Sequence, residues 1–73
     1  MIILKILKDN RVDVIELGTS FYITPSSDDV REMFPEAEQM ICYGEDNVIA
    51  IDANATYEMF EMASGSRIAQ FKH

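Results

Sequence analysis

Two short apolar runs, residues 40–43 (MICY) and 48–51 (VIAI), flank the turn-forming residues Gly44, Glu45, Asp46 and Asn47. Apolar runs of this length around such a turn are the mark of a β-hairpin. No other stretch constrains the chain as much, because the register of a hairpin decides which side chains meet a core. A turn centred on Glu45-Asp46 pairs Tyr43 with Val48 and Cys42 with Ile49. A turn centred on Asp46-Asn47 shifts the pairing by two and keeps every side chain on its face. Either register sets Ile41, Tyr43, Val48 and Ala50 on one face and Met40, Cys42, Ile49 and Ile51 on the other. Both faces are apolar, so the hairpin is expected inside a sheet covered on each side.

Around this hairpin the remaining elements read in order. Residues 2–7 and 12–17 are expected as strands joined by the two-residue turn Asp9-Asn10. The apolar alternation of the second strand slips in phase, which a β-bulge near Val14-Ile15 would repair. Gly18-Thr19 then turns the chain into a third strand over residues 20–24, completing a meander. Residues 24–29 (TPSSDD) start a helix, with Thr24 or Ser26 as cap and two aspartates at its positive end. Val30, Met33 and Phe34 form its apolar stripe, and Pro35 ends it near Phe34, leaving residues 35–38 as a turn or a short extra turn of helix.

Asn54 caps a second expected helix over residues 55–63, with Gly65 just beyond its end. Its apolar residues Tyr57, Met59, Phe60 and Met62 spread around most of a helical circumference. Arg67–Lys72 forms the last expected strand. The order is βββαββαβ: one α+β domain over residues 1–73, a mostly antiparallel sheet of five to six strands carrying two helices.

A chain of 73 residues hides only about 60–65% of its unfolded surface, so its core is marginal. Cys42 is its only cysteine, which excludes an internal disulfide and a four-thiolate zinc site. A second copy of the chain is a natural way to complete such a core, and a homodimer is expected. Tyr57, Met59 and Met62 cannot all face one core from a single helix, which makes them the expected dimer interface.

Charge narrows the range of partners. The net charge is −7, and all of it belongs to the middle of the chain. Residues 28–61 hold ten acids and a single base, Arg31. Such a surface repels nucleic acid as a direct ligand and suits a basic protein. Asp28, Asp29, Glu32, Glu36 and Glu38 fall within eleven residues and are the expected partner-binding set. Its plainer reading is a solvated face that keeps a small protein in solution.

Catalytic chemistry finds little to work with. Cys42 lies in an apolar run with acids nearby and reads as a buried structural thiol, since a nucleophile needs a base and an electropositive setting. The one histidine, His73, is the last residue and has no second histidine with which to share a metal. The carboxylate pairs at i,i+3 and i,i+4 (Asp28, Asp29 and Glu32; Glu58 and Glu61) lack the Glu-x-x-His element of carboxylate-bridged metal sites. The three glycines stand singly at turns, so no phosphate-binding loop forms. Tyr22, Tyr43, Tyr57, Phe34 and Phe60 read first as core and second as the lining of a small-molecule pocket or an interface.

No enzyme activity, metal or cofactor is therefore expected. The N-terminal apolar run is broken by Lys5 and ends at Lys8, too short for a signal core or a membrane span, so Asn54-Ala55-Thr56 reads as a chance glycosylation pattern. The expected object is a cytoplasmic, non-enzymatic interaction module that binds, and can inhibit, a basic protein partner. By type alone this suits an accessory protein of a phage or mobile element. The alternative is a small-ligand-binding or sequestering protein, its pocket between sheet and helix or at a dimer interface.

Overall fold

The computed structural model describes residues 1–72 and contains seven strands and one short helix. The strands are β1 (Ile2–Lys8), β2 (Arg11–Gly18), β3 (Phe21–Pro25), β4 (Gln39–Tyr43), β5 (Asn47–Ala50), β6 (Thr56–Glu61) and β7 (Arg67–Lys72); the helix is α1 (Asp28–Met33). All pairing is antiparallel, in a four-stranded sheet of order β2-β1-β6-β7 and a three-stranded sheet of order β3-β4-β5. The fold is thus mostly β, and the expected α+β domain with two helices is corrected.

The correction comes from residues 55–63. Wound as a helix, their apolar residues cover most of the circumference; extended, they alternate. Tyr57 and Met59 point inward and are 1% and 0% exposed, while Thr56, Glu58 and Phe60 are half-buried on the other face. Thr, Tyr and Phe favour strands, and β6 is hydrogen-bonded on both sides, to β1 and β7. An apolar set with no helical face was the trace of a period of two.

The meander is also corrected. β1 and β2 form the expected hairpin across Asp9 and Asn10, whose φ angles of 51° and 63° fit a tight two-residue turn. After Gly18 (φ 86°) the chain leaves this sheet, and β3 pairs with β4 instead of β2. The irregularity in β2 lies beside Leu17, because Ile2 pairs with Gly18 and Ile3 with Glu16; it is not at Val14-Ile15. Val14 pairs regularly with Lys5 and stands 62% exposed, so the phase slip leaves Val12 and Val14 outward rather than being repaired.

Residues 39–52 do form a hairpin, but in a register neither expected turn gives. Gly44, Glu45 and Asp46 make a three-residue loop, and Tyr43 pairs with Asn47, Cys42 with Val48, Ile41 with Ile49. Gly44 adopts φ 61° there, and a Cβ on it would come within 2.8 Å of the Asn47 amide nitrogen. Displacement by one residue moves the whole of β5 to the opposite face. Ile49 and Ile51 therefore join Ile41 on the core side, and Val48 and Ala50 join Cys42 on the outer side.

The two sheets share one core. Leu4, Leu17, Tyr57 and Met59 from the larger sheet meet Ile41, Ile51 and Ala55, with Ile2, Ile6, Ile15, Phe21, Tyr43 and Ile49 around them. The expected cover on both faces of the hairpin is incomplete: Cys42 is buried, but Val48 beside it is 47% exposed. Tyr22 lies opposite Cys42 on the neighbouring strand, and the thiol beside it pushes the phenol above its ordinary pKa. Cys42 is 8% exposed, so its thiol is expected to react with a thiol reagent roughly tenfold or more slower than in denaturant, since access requires local opening. Labelling at the unfolded rate would contradict this packing.

Candidate functional site

The helix is capped by Ser27, whose hydroxyl accepts the Val30 N–H at 3.3 Å; neither Thr24 nor Ser26 caps it. Ser26 is instead buried, its N–H donating to the Glu38 carbonyl at 3.0 Å. That bond ties together the two ends of the α1 segment. Phe34 ends the helix as expected, and a turn closes with Ala37 N–H donating to the Phe34 carbonyl at 3.0 Å. Ala37, 5% exposed, fixes this turn against the body.

The stripe of Val30, Met33 and Phe34 does not reach the core. No residue of α1 is buried, and Met33 and Phe34 are 74% and 52% exposed. A six-residue helix offers too little surface to bury a full stripe. Instead residues 33–37 form one wall of an open groove of about 640 Å³, whose other wall is residues 48–53. A second hollow of about 210 Å³, lined by Glu36, Glu38, Gln39, Ile51 and Ala53, adjoins it. Phe34 had core as its first reading and a pocket or interface as its second, and Met33, Val48 and Ala50 as groove residues were not anticipated, because their exposure depends on the hairpin register and on how little α1 buries.

All five expected partner-binding carboxylates, Asp28, Asp29, Glu32, Glu36 and Glu38, are exposed. Asp28, Asp29 and Glu32 stand on α1, Glu36 lines both hollows, and Glu38 lines the smaller one. Among the described residues no group of three or more His, Cys, Asp or Glu is placed to hold a metal ion, and His73 lies outside those residues. Of the expected dimer residues, Tyr57 and Met59 are enclosed in the chain's own core and only Met62, 58% exposed, lies on the surface. The helical face that suggested this interface does not exist.

At the far end of the groove a polar junction joins the two sheets. The Asp52 carboxylate takes a hydrogen bond from Lys8 and another from Asn54 N–H at 2.8 Å, and both hold its pKa below the ordinary value. The Asp52 N–H donates to the Tyr57 hydroxyl at 2.7 Å. Burial pushes Tyr57 above its ordinary pKa. A phenol harder to ionise when folded contributes stability that is present below about pH 10 and lost as pH rises toward its folded value. Alkaline denaturation is therefore expected to steepen above pH ~10 in the wild type and to flatten in Tyr57→Phe. That variant also loses about 1–2 kcal/mol at neutral pH with its hydrogen bond. Urea titrations at several pH values check both; identical alkaline limbs would contradict the buried phenol.

Among the described residues no helix is long and apolar enough to cross a membrane. Comparison with protein-family models, with curated proteins and with solved structures finds no match for the chain.

Proposed function

We propose that the chain is a cytoplasmic, non-enzymatic binding module that engages a basic surface on another protein and can inhibit that protein by covering it. One observation carries the reading: the five carboxylates of residues 28–38 are all exposed, and one of them, Glu36, lines the apolar groove between residues 33–37 and 48–53. Apolar area supplies affinity, while surrounding charge supplies steering and choice of partner. The nearby cations are few. Lys8 is engaged by Asp52, and Arg31 alone among residues 28–61 carries positive charge.

The test is affinity capture from host lysate on the immobilised full chain, washed at low and at high salt. Attraction between charged surfaces weakens as the Debye length falls from about 10 Å at 0.1 M to about 3 Å at 1 M. A basic protein retained at low salt and released at high salt is the expected result. Retention only of acidic proteins, or retention indifferent to salt, overturns the reading.

A further inference from the structure

Resting on the reading of the chain as a binder of basic partners, we propose that the partner presents an extended segment of alternating basic and apolar residues. This segment adds to the edge of β5 as a fourth strand. In the three-stranded sheet β5 pairs with β4 alone. The Ile51 N–H donates to the Gln39 carbonyl at 3.0 Å. Antiparallel ladder bonds recur at every second residue, so Ile49 and Asn47 also direct their backbone groups to β4. The N–H and C=O groups of Val48 and Ala50 then point outward, where no strand lies among the described residues.

An unpaired edge is a template for another chain, and three features single this one out. It borders the groove whose far wall holds the exposed Met33 and Phe34. It is short and nearly free of charge, whereas natural edges are often guarded by lysine or proline. Its surroundings are acidic: Glu36 lines the groove, and Glu45 and Asp46 form the adjoining hairpin loop. In an added strand, backbone bonds give affinity and alternate side chains give selectivity. The apolar ones would lie against Met33, Phe34 and Val48, and lysine or arginine would reach Glu36 along the groove margin with the stem still in apolar contact. A second copy fits poorly, because it would bring two like-charged rims together.

The experiment uses the isotopically labelled full chain and the capped peptide Lys-Val-Lys-Val-Lys-Val, with amide hydrogen exchange read by NMR. With peptide, the Val48 and Ala50 amides are expected to exchange about tenfold or more slowly, with little change at Ile49, already bonded to β4. The same peptide N-methylated at alternate residues is expected to lose this protection in one of its two registers, although its charge is unchanged. Salt-sensitive binding that shifts only residues 28–38 overturns strand addition and leaves the basic-partner reading standing. No binding up to about 1 mM peptide, a binding free energy weaker than about −4 kcal/mol, also overturns it; the capture experiment then judges the wider reading alone. Protection of Val48 and Ala50 without peptide that grows with protein concentration assigns the edge to a second copy and overturns the proposal.

Discussion

Met59→Lys is expected to unfold the chain, while Met62→Lys, three residues further on, leaves it folded. Met59 is 0% exposed at the centre of the shared core, and Met62 is 58% exposed. Domains are stable by about 0.05–0.15 kcal/mol per residue, which for 73 residues is roughly 4–11 kcal/mol. A buried lysine forfeits the packing of the methionine and leaves a charge without a partner, which costs about 4–5 kcal/mol or more. The exposed site is expected to cost within about 0.5 kcal/mol. Circular dichroism and urea titration of the two variants check the pair. Equal effects would contradict β6 as a strand with one face in the core.

Replacing Glu32, Glu36 and Glu38 together by lysine has the largest expected effect on binding. Each exchange alters the charge by two, so the net charge of −7 becomes −1, with the change at Glu36 inside the groove and that at Glu38 in the adjoining hollow. Attraction to a basic partner turns into repulsion, and affinity is expected to fall about 100-fold or more, close to 2.7 kcal/mol. The fold should hold, because all three are exposed and such positions cost about 0.5 kcal/mol or less apiece. Asp28 and Asp29 are poorer probes: they complement the helix N-terminus, an interaction worth about 0.3–1 kcal/mol each. Unchanged affinity in a folded triple variant would reduce the five carboxylates to a solvated surface.

Local chemistry was legible in the sequence, and pairing was less so. Asp9-Asn10 announced its turn because few residues accept positive φ on both sides of a hairpin bend. Pro35 announced the end of α1, and the last expected strand, Arg67–Lys72, forms β7. Residues 55–63 misled because a helix propensity from Ala, Glu and Met competed with an alternation visible only once β1 and β7 lie on either side. The hairpin was evident, yet its loop length was not: two-, three- and four-residue turns all draw on glycine, aspartate and asparagine. That single residue decided which of Val48 and Ile49 enters the core. The acidic residues were read directly as a group, since charge on so small a domain stays at the surface. The groove was foreseen only as a pocket between sheet and helix, and its lining was not, because that depends on α1 being too short to bury Met33 and Phe34.

The most direct test is zero-length carbodiimide crosslinking of the captured partner to the full chain, with the joined residues identified by mass spectrometry. This chemistry links a carboxylate only to an amine in contact with it. The expected crosslinks join Glu32, Glu36 and Glu38 to lysines of the partner and disappear at high salt. Crosslinks confined to an edge of the four-stranded sheet, at Asp13 and Glu16 of β2, would contradict the account.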